Sequence, residues 1–343
     1  MPILAAFMVP HPPLIVPQVG RGGEKEIEET AEAYTRVARE IAALQPDTII
    51  ISSPHAVMYS DWFHISPGRK AQGSFASFRA PEVRFREEYD AELAETVEKL
   101  ASQEGFPAGT LGEKDKALDH GVMVPLWFTR KFWQGYKLLR IGLSALPLTE
   151  HYALGQFVSL AVNMLGRRAV WIASGDLSHK LQPHGPYGFA PEGPQYDARI
   201  MDVCSRAAFG ELFDFSEEFC EKAAECGHRS FVMMAGALDG LAVEATALSH
   251  QDVTGVGYGV CTFYPTGVDE SRHFLRAQLL KQAAQAEAKR SAQDPWVQLA
   301  RASLEAWVRR GIAISLPEGL PRELTDSRAG AFVSGPRPGG AAG

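Results

Sequence analysis

Cysteine is scarce in this 343-residue chain. The four present, Cys204, Cys220, Cys226 and Cys261, include no Cys-x-x-Cys pair. That argues against a disulfide framework and for reduced thiols in a cytosol. Long apolar runs are lacking too: nothing approaches the ~18 residues of a membrane span. The apolar start, Met1 to Val9, has no basic segment and runs into Pro10, Pro12 and Pro13, so it reads as a buried strand and not as a signal peptide. Basic clusters are absent and the net charge is -7, which argues against a nucleic-acid partner. The expectation is a cytoplasmic protein with neither nucleic acid nor membrane as partner.

What is present is a globular composition, 45% hydrophobic and 22% charged. Residues 3–9 and 48–52 are short apolar, strand-like runs. Between them Ile27, Ala31, Tyr34, Val37, Ala38, Ile41 and Leu44 recur at helical steps, giving a strand–helix–strand unit. Residues 60–88 show weak periodicity and read as irregular structure with short strands. Helices are predicted near 89–102, 148–165, 195–209 and 227–240, and strands near 138–143, 169–173, 243–249 and 256–264. Proline and glycine over 181–195 predict an ordered loop. The sum is an α/β fold, a central mixed and mostly parallel sheet flanked by helices. We delimit a main domain over 1–266, a helical linker over 267–293, a partial domain over 294–334 and a disordered tail over 335–343. Asp294-Pro295 supplies a capping residue and a first-turn proline for a new helix.

The chemistry is expected at strand ends. His11 follows the strand 3–9, His55 follows 48–52, and His179 lies shortly beyond 169–173. Open α/β sheets bind ligands outside the carboxyl ends of their strands, so three histidines delivered there can converge. His120, in Asp119-His120-Gly121, is a fourth candidate, with a helix-start turn as the alternative. Imidazoles suit iron, zinc and copper, and two of them with a carboxylate make the facial triad of non-haem Fe(II) oxygenases. Glu225-Cys226-Gly227-His228 is the best source of a third ligand, an ordinary helix start being the alternative. Asp176 either orients His179 or serves as a turn residue.

Five short motifs in order carry a resemblance. They are Pro10-His11-Pro12-Pro13, Ser53-Pro54-His55, Asp119-His120-Gly121, Ser174-Gly175-Asp176-Leu177-Ser178-His179 and Gly236-Ala237-Leu238. Together the set resembles the LigB-like class III extradiol dioxygenase superfamily. The resemblance implies Fe(II) on His11 and His55, His179 as acid/base and His120 in contact with substrate. It implies O2-dependent ring cleavage of a small catechol-like substrate. Where dioxygenases use a glutamate as third ligand, Cys226-Gly227-His228-Arg229 is similar to the Memo branch, which carries a cysteine. The sequence leaves Glu225 and Cys226 as alternatives, and with Cys226 a non-catalytic or regulatory metal-binding role becomes the rival reading. Zinc and copper rank below Fe(II) as the metal, and a zinc hydrolase on the same histidines ranks below both readings.

Leu316-Pro317-Glu318-Gly319-Leu320-Pro321 and Arg328-Ala329-Gly330-Ala331-Phe332-Val333 resemble the opening of an AMMECR-type domain, cut short. The pairing resembles the AmmeMemoRadiSam system and implies a radical SAM protein as partner. Self-association is left open.

Overall fold

The computed structural model describes residues 3–114 and 117–325. Its strands are β1 (Ile3–Val9), β2 (Thr48–Ser53), β3 (Phe63–His64), β4 (Lys70–Phe75), β5 (Ala80–Glu88), β6 (Ala108–Gly109), β7 (Lys137–Gly142), β8 (Ala169–Ser174), β9 (Leu241–Gln251) and β10 (Tyr258–Val268). Six of them form the central sheet in the order β7-β2-β8-β1-β10-β9. The first four run parallel, while β10 is antiparallel to β1 and β9 to β10. This is the expected mixed, mostly parallel α/β architecture.

Helices cover both faces, which is why the central strands read as continuous apolar runs without alternation. Phe7, Ile49, Ile51, Val170 and Ile172 point into a core closed by the helices Glu28–Leu44 and His120–Thr129. Met8, Ile50, Leu139, Trp171 and Ala173 point into the opposite core, under Ala91–Gln103, Leu148–Met164, Glu192–Ser205 and His228–Ala237. The helix Glu28–Leu44 carries the chain from β1 to β2, and Leu148–Met164 carries it from β7 to β8. The parallel strands therefore deliver their carboxyl ends to one edge.

Two helices on the second face approach closely. A Cβ on Gly155 would lie 2.0 Å from the Met233 carbonyl oxygen, and one on Gly236 would lie 1.9 Å from that of Tyr152. Only glycine permits this backbone contact. It fixes the helix His228–Ala237, and with it the Glu225–Gly227 turn, against the sheet.

Three features depart from the sequence-based expectation. Residues 70–88, expected as irregular structure with short strands, form one antiparallel hairpin, β4 and β5, with a register shift between Ser74 and Phe75. His120–Thr129 is a full helix, with Pro125 inside it. The loop expected to 195 ends earlier, at the helix Glu192–Ser205.

The chain divides into a unit ending at Leu275 and another beginning at Arg276. In the second, the helix Pro295–Arg310 starts where Asp294 Oδ1 accepts the Val297 N–H at 2.9 Å. The segment 328–333 and the tail 335–343 lie outside the described residues. Among those described, no helix is long and apolar enough to cross a membrane.

Candidate metal centre

β1, β2 and β8 end at Val9, Ser53 and Ser174, and the residues just past those ends meet. His55 Nε2 lies 3.0 Å from His11 Nε2, and Cys226 Sγ lies 3.6 Å from the same nitrogen. One donor atom each from His11, His55 and Cys226 fall within 4.8 Å of one another. The His120 ring joins them, its centroid 4.0 Å from that of His55 and 5.3 Å from that of His11.

The hydrogen bonds set the state of these groups. The Ser174 hydroxyl donates to the Gly121 carbonyl at 2.6 Å, so its oxygen accepts from His11 Nδ1 at 3.0 Å. With its proton assigned to Nδ1 by this network, His11 presents a bare Nε2 lone pair to the cluster, the arrangement a metal-binding imidazole requires. His55 is held by its backbone N–H, which donates to Ser53 Oγ at 3.2 Å. Ser53 in turn donates to Asp119 Oδ1 at 2.6 Å, and Arg140 pairs with Asp119 Oδ2 at 2.6 Å. Asp119 also accepts the Val122 N–H, capping the helix that starts with His120.

Burial holds His11 well below the ordinary imidazole range, with the neighbouring His55 adding to it. His55 is lowered, chiefly by burial, and His120 is lowered to about 3 by burial and then by His11 and His55. All three are therefore neutral near pH 7, the form that ligates metal. Burial alone would raise the Asp119 carboxyl, but Arg140 and the Ser53 hydroxyl outweigh it and hold it below the usual range.

The turn before the helix His228–Ala237 sends the Glu225 and Cys226 side chains to different places. Glu225 Oε2 accepts the His228 N–H at 2.6 Å, and burial raises this carboxyl to about 7. The structure does not bring Glu225 to the histidines. Cys226 is brought there, by the close passage of two chain segments: a Cβ on Gly175 would lie 2.1 Å from Gly227 Cα. Across that contact Asp176 N–H donates to Cys226 Sγ at 3.3 Å and Cys226 N–H to the Asp176 carbonyl at 3.4 Å. Burial raises the Cys226 thiol well above its ordinary value, followed by the charges of Asp176 and Glu225. A bound cation reverses that preference and deprotonates a coordinating thiol outright.

His179 stands at the other side of Cys226. Its Nδ1 donates to the Ala224 carbonyl at 2.6 Å, which leaves Nε2 as the acceptor atom. Asp176 does not hold the His179 ring. It accepts the His11 N–H at 2.7 Å through Oδ1, and Oδ2 lies 3.8 Å from His11 Nε2. Ser53 and Asp119 sit in the quoted motifs, yet sequence reasoning gave them no role. Their only signal is position, at a strand end or beside a histidine.

The donor set fits a single transition-metal ion. Nitrogen at about 2.0–2.1 Å and sulfur at about 2.3 Å from one ion put ligand atoms roughly 3–3.7 Å apart. The 3.0 and 3.6 Å separations fall in that interval. Ser174→Ala tests the tautomer argument: metal affinity is expected to fall about 10–100-fold, the usual effect of losing an outer-sphere partner. An unchanged dissociation constant in a competition titration would show that Ser174 does not set the ring.

Residues 5–261 match the family described as the catalytic LigB subunit of aromatic ring-opening dioxygenase. Protein CA_C1420 of Clostridium acetobutylicum is 36% identical over 337 residues, 96% of this chain and 71% of the relative. A 2-aminophenol 1,6-dioxygenase beta subunit from a Pseudomonas species is 26% identical over 285 residues, 75% of this chain and 92% of that subunit. Among solved structures, the uncharacterized protein JW3007 of Escherichia coli K12 aligns over 76% of this chain and 99% of its own, with a TM-score of 0.49 and 16% identity. By the extent of the family match and by its 36%-identical relative, the chain belongs to the LigB family.

Proposed function

We propose that the protein is a metal-dependent oxidoreductase of the dioxygenase type, holding one Fe(II) on His11, His55 and Cys226 and acting on a small aromatic substrate with O2. The observation that carries this reading is the convergence of two imidazole Nε2 atoms and one thiol at the carboxyl edge of the sheet, with the His11 tautomer fixed for ligation. Iron held there supplies open coordination positions and the one-electron chemistry that O2 activation needs. His179, with Nδ1 committed to a backbone carbonyl, offers Nε2 to take a proton from a substrate hydroxyl and return it later. His120, kept neutral, borders a cavity of about 650 Å³ whose lining mixes Phe78, Leu118 and Met123 with Arg84, Arg86 and Gln72, a seat for an aromatic ring that carries polar groups. The name of the Pseudomonas relative suggests aminophenols beside catechols as candidate substrates.

A specific observation favours a second reading. The third donor is a thiol, and Glu225 is turned to His228. A thiolate changes the charge and softness of the site and suits zinc or copper as well as iron. On this reading the protein is a Memo-like metal-binding or regulatory member of the family, the segment 294–334 is part of an AMMECR-type domain, and a radical SAM protein is the partner. The match to the longer Clostridium protein supports a shared layout, since 337 aligned residues reach into the unit that begins at Arg276.

Anaerobic purification with metal analysis, then oxygen uptake on catechols and 2-aminophenols with Fe(II) restored, separates the two. About one iron per chain with substrate-dependent uptake supports the oxidoreductase; bound metal with no uptake on any compound supports the Memo-like role. In either case Cys226→Ser is expected to lose the metal and Glu225→Gln to retain it. The reverse pattern would return the carboxylate as third ligand.

A further inference from the structure

Cys226 belongs to two donor groups. One is the set with His11 and His55. In the other, one donor atom each of Asp176, His179 and Cys226 also lie within 4.8 Å of one another. We propose that Asp176, His179 and Cys226 form a second cation site, sharing the Cys226 thiolate with the first, for a borderline-soft divalent ion of the zinc or cobalt(II) type.

The donors are of the right kind and are held in place. His179 is fixed by Nδ1 on the Ala224 carbonyl, so its free donor is Nε2. Asp176 has Oδ1 on the His11 N–H, while its Oδ2 has no hydrogen-bond donor among the described residues. A carboxylate only 7% exposed, with an oxygen held near Cys226 and His179, is an oxygen donor available to a cation there. The Cys226 sulfur accepts a hydrogen bond from the Asp176 N–H, which leaves room for two metal bonds at a bridging thiolate. The backbone is rigid here: the Gly175–Gly227 contact locks the two segments, and His179 N–H bonds the Ala223 carbonyl at 3.2 Å.

Charge ranks the sites. The first ion meets a thiolate and two neutral imidazoles. A second ion about 3.5–4 Å away, the spacing of two-metal centres, adds one carboxylate and one imidazole but meets the repulsion of the first. The second site is therefore the weaker. The thiol gives up one proton to solvent as the first ion binds, and the second ion displaces none from sulfur. An ion in the second site takes the His179 nitrogen needed for proton transfer, so an excess of such an ion makes the protein unable to use His179 as a base. The proposal rests on the first-site reading only for the sharing of Cys226.

The test is anaerobic titration of cobalt(II) into the metal-free full chain, following thiolate-to-cobalt absorption. Two equivalents are expected, the second at least about tenfold weaker. His179→Ala and the milder His179→Gln should each keep the first equivalent and lose the second, and Asp176→Asn should weaken the second. His11→Ala should lose the first and keep a site that still shows thiolate absorption. Saturation at one equivalent that His11→Ala removes and His179→Ala leaves would overturn the second site and leave the first standing. One equivalent that depends on His179 and not on His11 would instead overturn the first-site reading. Two equivalents unaffected at position 179 would also overturn the proposal, because the second ion would then sit elsewhere.

Discussion

His11→Ala is expected to weaken metal binding at the first site by far more than 100-fold, so that only the weaker, His179-dependent binding is left. The scale follows from a comparison: outer-sphere partners already cost about 10–100-fold, and His11 is itself a donor. His11 also sits at the centre of the constellation, within 3.0 Å of His55 Nε2 and 3.6 Å of Cys226 Sγ. Its loss separates the other two donors. The fold should survive, because the imidazole's partners, Ser174, His55 and Cys226, all belong to the site and β1 is held by backbone pairing on both sides. Metal analysis after gel filtration, with circular dichroism as the control for folding, checks both halves. A folded variant that keeps one tightly bound ion whose binding does not depend on His179 would remove His11 from the ligand set.

The second large effect concerns stability. Arg140 is 1% exposed and pairs with Asp119 at 2.6 Å. Replacing Arg140 with methionine is expected to cost about 3–5 kcal/mol, because a buried carboxylate loses its countercharge. Asp119→Asn in that background removes the stranded charge and should recover much of the loss. Urea unfolding of the three proteins measures both numbers. A loss under about 1 kcal/mol for Arg140→Met would mean that water reaches Asp119. The pair also has a pH signature. The folded-state pKa of Asp119 is depressed, so its contribution is complete above the unfolded value of about 3.9 and is lost as pH falls through the lower folded value. The wild type should therefore lose stability steeply in that acid window, and Arg140→Met much less so.

The site was partly legible in the sequence, for a physical reason. β1, β2 and β8 are buried on both faces and announce themselves as apolar runs, and a histidine past such a run has few places to go. His11 and His55 could be placed that way, and His179 beside them. Position 225 against 226 could not be decided, because adjacent residues leave a turn in different directions and only the Gly175–Gly227 contact chooses between them. Of the helix His120–Thr129 only a possible start at His120 was legible: it is buried almost all round, so no amphipathic period marks it. The strand β5 was obscured in another way. Its inward positions include Glu87, which bonds the Tyr136 hydroxyl at 2.9 Å, so the expected apolar alternation is broken by a buried acid.

The shared edge of the sheet has a mechanical consequence. His11 and His55 are 44 residues apart and His11 and Cys226 are 215 apart, so an ion held by all three would join the first strand, the second strand and a late helical turn. It would act as a cross-link that closes very long loops, and an ion at 1,000 times its dissociation constant would add about 4.1 kcal/mol against unfolding. The unfolded chain cannot present these donors together, so loading must follow folding. Chelation would then be felt first at the ends of β1 and β2, and last at β9 and β10, which carry no donor.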